Sequence, residues 1–137
     1  MTARSANGWR RRTSEPRLRL IAATVAEMLG ISMERLMGRD RSHAVSRARQ
    51  LAHLIARQIT TRSSPDIGFH IGGVEHGVVL HGARKAEERL KQDAGLRERH
   101  ERIRALIDER HAAEMAARPK VQASSAMPQA AAVGGAP

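Results

Sequence analysis

Two adjacent glycines, Gly72 and Gly73, part a short segment of helical apolar spacing from a longer one. Ile67 and Ile71 lie before them, and Val79, Leu80, Ala83, Ala86 and Leu90 follow. Residues without a Cβ allow a tight change of direction at little steric cost. A short helix over 64–71, a glycine turn and a longer helix over 75–91 make a helix-turn-helix pattern. In such a unit the first helix braces the second, whose N-terminal residues can reach base edges in a major groove. Many helical hairpins bind nothing, so the flanking sequence has to carry the argument.

Upstream the pattern is also helical. Leu18, Ile21, Ala22, Val25, Met28 and Leu29 recur at helical spacing, and Gly30 closes that helix. Ser32 caps a short turn carrying Met33, Leu36 and Met37. A long helix starts near Ser42, with Ala48, Leu51, Ala52, Ile55 and Ile59 as its buried stripe. Thr60 to Ser64 form its exit and the next cap, with Pro65 expected at the first helical position. A last charged helix is expected near 96–117, with pairs such as Glu98 and Arg102 at i,i+4. No run alternates with period two, so the fold class is all-α. The expected division is a disordered basic arm over 1–16, a helix-turn-helix domain over 17–92, a charged helix over 93–117 and a disordered Ala/Pro/Gly-rich tail over 118–137.

The chain carries 24 Lys+Arg against 14 Asp+Glu, a net charge of +10 over 137 residues. That surplus makes a polyanion the first partner to consider. The dominance of Arg over Lys also fits a bias of coding composition, so position matters more than total. Without cysteine there is no disulfide, thiolate metal site or thiol nucleophile. With one Phe, one Trp and no Tyr, single-stranded nucleic acid has few aromatic faces to stack on. The apolar stretch from Leu18 to Leu29 is interrupted by Arg19 and Glu27, which suits an amphipathic helix and not a leader or a membrane span. A cytoplasmic, nucleoid-associated location is the expectation.

Arg49, His53 and Arg57 lie four apart and are expected to form one basic stripe away from the apolar face. Ahead of them, Gly38-Arg39-Asp40-Arg41-Ser42-His43 makes a basic loop. A loop arginine beside a helix-turn-helix can enter a minor groove or hold phosphates. A solvated helix face is the competing reading.

These residues resemble a family. The runs Val25-Ala26-Glu27-Met28-Leu29-Gly30-Ile31-Ser32, Arg41-Ser42, Ala48-Arg49-Gln50, Ser64-Pro65-Asp66-Ile67-Gly68 and Gly72-Gly73-Val74-Glu75-His76 through Lys85 are similar to the C-terminal DNA-binding domain of the bacterial replication-initiator (DnaA) family. The correspondence runs without a gap from about residue 20 to residue 90. The resemblance implies a minor-groove arginine at Arg41, beside Arg39 and Ser42 in the loop. It implies that Arg49, Gln50, Arg57 and Pro65 lie on the DNA-facing side, and that Glu75 and His76 open the recognition helix and help read the family's initiator box.

The chain departs from the family's Gly-Gly-Arg-Asp-His-Thr-Thr-Val at Val74, Gly77 and Val78. Gly77 offers no side chain to a base, and Val78 offers only methyl contacts. Each lost base contact removes about 1–3 kcal/mol of discrimination. Three readings follow: double-stranded DNA binding that regulates transcription or replication initiation, by competition or contact with the initiator; a non-specific DNA coat; and a protein-interaction module with 96–117 as its partner helix. A monomer or weak dimer is expected. No G-x-x-x-x-G-K-[ST] phosphate loop is present, so ATPase activity is not expected. No nucleophile, base and oxyanion set appears at a telling spacing, and His70, His76 and His81 do not share a helical face as metal ligands would. Neither enzyme activity nor a metal or other cofactor is therefore expected.

Overall fold

The computed structural model describes residues 15–118, so the basic arm around Trp9 and the tail from residue 119 lie outside the described residues. Among the described residues six helices follow one another: α1 (Leu18–Leu29), α2 (Met33–Met37), α3 (His43–Ile59), α4 (Ser64–His70), α5 (His76–Gln92) and α6 (Ala94–Ala117). Among the described residues there is no strand, and the fold is all-α as expected.

Local chemistry sets the helix ends. Gly30 adopts φ 69° and its N–H reaches back to the carbonyls of Ala26 and Glu27, while Ile31 N donates to Ala26 O at 2.8 Å. This left-handed cap satisfies carbonyls that would otherwise be orphaned. Ser32 Oγ accepts from Arg35 N at 3.2 Å and starts α2. Helix α4 is capped by Ser63, whose Oγ accepts from Asp66 N at 3.2 Å. Ser64 is therefore the first helical residue and Pro65 the second, one place later than expected.

Helix α3 is the spine, touching α1, α2, α4 and α5. Ile21, Val25, Leu36, Ile55, Ile67, Ile71 and Val79 are fully buried in one core. Ile71 fills the core position, whereas Phe69 is 74% exposed. Leu80 and Leu90, expected inside, are half-buried. The charged helix α6 folds back over α1 and α5, and its Ile103 and Ile107 are fully buried in the same core cluster. Polar ties reinforce it: Arg110 reaches Glu27 at 2.8 Å and Thr24 Oγ1 at 3.3 Å, and Arg17 reaches Glu114 at 2.8 Å. Exposed ion pairs contribute at most about 1 kcal/mol each, while burying an isoleucine contributes about 1.5–3 kcal/mol. The two isoleucines therefore dominate the docking of α6, and they are unavailable to a partner chain.

Candidate nucleic-acid interface

The α4–turn–α5 unit is held tightly at its elbow. Val74 N donates to Gly68 O at 2.9 Å, and the chain turns through Gly72 (φ 96°) and Gly73 (φ 60°). A Cβ on Gly68 would stand 2.2 Å from Val74 O and 3.0 Å from Val79 Cγ2. Only glycine lets α4 approach α5 this closely.

Arg49 ties that elbow to the basic loop. Its Nε donates to Leu36 O at 2.8 Å, and its Nη2 lies 3.1–3.2 Å from the carbonyls of Arg35, Gly38 and Asp40. These carbonyls belong to the end of α2 and the loop after it, so one planar guanidinium organises the whole segment. Burial pushes the Arg49 guanidinium below its ordinary value. Its stem lies against the turn: a Cβ on Gly72 would come within 2.8 Å of Arg49 Cδ. Asp40 rigidifies the loop from the other side, accepting from Ser42 N and from Arg35 Nε, each at 2.8 Å. The Ser42 N–H, followed by Arg35, pushes the Asp40 carboxyl down to about 2.

An open groove of about 460 Å³ runs between this loop and the start of α5. Of the expected site residues it brings together Arg39, Arg41, Arg49, Gln50 and Val78, and His81 joins them. Ser42, Arg57, Pro65, Glu75, His76 and Gly77 are exposed but do not line it. A Cβ on Gly77 would meet nothing within 4 Å, and Val78 is 50% exposed, so the first turn of α5 faces open space. Gln50 is held at the α3–α5 crossing, where its Oε1 accepts from Arg89 Nη2 at 2.6 Å. Its Cγ would lie 2.9 Å from a Cβ on Gly82, which is why a helix-weakening glycine is useful there.

The expected basic stripe does not exist as such. Arg57 is exposed, Arg49 is engaged with carbonyls, and His53 between them is buried with 1% exposure. The turn after α4 covers the middle of that face. His53 Nε2 lies 2.8 Å from Ile71 O, so it donates to the carbonyl, and Nδ1 is left buried without a partner. Desolvation pushes this imidazole below its ordinary value. The folded chain therefore keeps His53 neutral where the unfolded chain binds a proton, near pH ~6.5. Stability should fall as the pH drops below about 6.5 and level off only once the folded-state imidazole itself titrates. Burial pushes His100 in the same direction. Urea midpoints compared at about pH 7.5 and 5.5 should differ less in His53→Gln, which keeps a donor but cannot titrate. An unaltered pH dependence would remove His53 as its source.

Sequence reasoning missed three cations. Arg47, Lys85 and Arg89 join Arg41 and His43 around a second cleft of about 330 Å³ beside the groove. The recurrence of His81, Lys85 and Arg89 every four residues along α5 was the signal that could have found two of them. No helix among the described residues is long and apolar enough to cross a membrane.

A short bracing helix, a glycine elbow, a second helix with an open first turn and a cationic loop beside it define a helix-turn-helix protein. More narrowly, residues 18–86, half of the chain, match the bacterial DnaA protein helix-turn-helix family, and the chain belongs to it. The chromosomal replication initiator protein DnaA from two strains of Cereibacter sphaeroides is in each case 37% identical over 87 residues. That stretch is 64% of this chain but 19% of the relative, so the chain spans only a small part of the curated relatives it matches.

Proposed function

We propose that the chain binds duplex DNA and regulates replication initiation or transcription by occupying sites related to those of the initiator. The reading rests chiefly on the placement of Arg39 and Arg41, exposed on a loop anchored by Arg49 and set across a groove from the start of α5. In this reading Arg41 enters the minor groove, while Arg39, Ser42, Arg57 and the backbone near Pro65 hold phosphates. Glu75 and His76 meet base edges, and Gly77 with Val78 presents an apolar surface suited to a thymine methyl. Arg49 and Gln50 act mainly by positioning the loop and α5, since both side chains are already engaged. The role needs no ATP hydrolysis by this chain, and it places the protein on the nucleoid.

Fluorescence anisotropy with a duplex carrying the initiator box and a scrambled duplex, at two salt concentrations, tests this reading. Arg41→Ala and Arg57→Ala should each weaken binding to both duplexes and reduce the log–log salt slope by about one. His76→Ala should instead narrow the gap between the duplexes. Unchanged affinity in both arginine variants would refute the docking face. Equal wild-type binding to both duplexes would favour the non-specific coat, for which the absence of hydrogen-bonding side chains at Gly77 and Val78 already speaks.

A further inference from the structure

On the flank of the basic cleft lies a separate groove of about 260 Å³ between the end of α1, the first half of α3 and the α5–α6 junction. Its apolar lining includes Leu29, Ile31 and Leu96, all half-buried. Leu29 and Ile31 also rest on the core, whereas Leu96 stands outside the core cluster and faces the groove. Arg47, Arg89 and Arg99 ring this floor. None of the three makes an ion pair among the described residues. Burial, followed by the neighbouring charge of Arg47, pushes the Arg89 guanidinium below its ordinary value. The acidic group at the rim, Asp93, is engaged in capping α6 through Leu96 N at 3.1 Å.

We propose that this groove docks an acidic protein segment that inserts one or two aliphatic side chains beside Leu96 and sets its carboxylates against Arg47, Arg89 and Arg99. Charge complementarity selects an anion, since three guanidinium groups surround the apolar floor without an acidic partner among the described residues, Arg89 donating only to the neutral Gln50. The volume lies just below the range of about 300–1,000 Å³ typical of small-molecule sites, and it suits side-chain anchors. Duplex DNA has no aliphatic group of that kind to insert, so the apolar floor separates this surface from the face assigned to DNA.

The test uses the full chain and a fluorescein-labelled peptide with two leucines one helical turn apart among aspartates and glutamates. A control peptide replaces both leucines by serine. The leucine peptide should bind about tenfold more tightly, as expected for one buried aliphatic anchor. Leu96→Ser should abolish that advantage, and Arg99→Ala should weaken both peptides. Both variants alter side chains outside the core cluster, and circular dichroism checks that they stay folded. Duplex affinity should be unchanged in Leu96→Ser. Equal binding of the two peptides, or a leucine preference that survives Leu96→Ser, would overturn the proposal. A matching loss of duplex affinity in Leu96→Ser would assign the groove to the DNA face. Leu96-dependent binding to phosphatidylglycerol vesicles without a peptide preference would assign it to a lipid surface.

Discussion

Gly68→Ala is expected to destabilise the chain by about 3 kcal/mol, although it adds a single methyl group. The added carbon would sit 2.2 Å from the Val74 carbonyl oxygen, part of the backbone of the turn, and 3.0 Å from a Val79 methyl. No flexible side-chain end can move aside, so α4 has to slide along α5 or the Gly68–Val74 hydrogen bond has to break. Against a total stability of about 5–15 kcal/mol this is a large fraction, and it corresponds to a fall in melting temperature of about 12–20 °C. Gly77→Ala is the internal control. It adds the same methyl in the same helix-turn-helix unit but into open space, and it should be neutral or slightly stabilising. Thermal melts of the two variants side by side decide the matter, and equal stability would mean that the elbow is not closely packed.

Arg49→Ala should be nearly as damaging, through polar groups. The guanidinium supplies the side-chain donors that organise four carbonyls of α2 and the following loop. Losing charge-assisted hydrogen bonds from a half-buried group should cost about 2–4 kcal/mol. The loss would be local as well as global, with residues 38–42 becoming open to proteolysis before the core unfolds. Arg49→Lys should recover little, because a compact ammonium cannot span carbonyls laid out for a planar fork. Denaturant midpoints and limited proteolysis check both points. Full recovery by lysine would show that charge alone, and not the fork, holds the loop. Duplex affinity should fall in Arg49→Ala by more than one lost cation explains, since Arg39 and Arg41 would lose their fixed presentation.

Much of the helical framework was legible because its signals are local. Gly30 at the end of an apolar stripe, Ser32 before a short turn and Gly72-Gly73 before α5 announce themselves through backbone sterics and capping. Two neighbouring serines made the start of α4 ambiguous by one residue, since either hydroxyl can cap and only the folded geometry selects Ser63. The site was less legible because its organisation is not local. Spacing of four correctly put Arg49, His53 and Arg57 along one line of α3. It could not tell that the turn from α4 would lie across the middle of that line, burying His53 against the Ile71 carbonyl. Nor does any local pattern reveal that Arg49 is occupied by carbonyls of preceding segments, or that Arg47 and Arg89 meet across two helices. The sparse apolar positions of α6 carried no helical stripe worth the name, and two isoleucines were enough to dock it.

Helix α6 carries the packed core beyond the residues that the family model matches. The residues matched by the family model end at 86, before α5 is complete, whereas the packed core reaches Ile107. A fragment cut there would lose Ile103 and Ile107 and open the apolar faces of α1 and α5 that α6 now covers to water. The hydroxyl of Thr24 would also lose the arginine that now reaches it. The recognition unit matched by the family model is thus shorter than the packed unit that holds it.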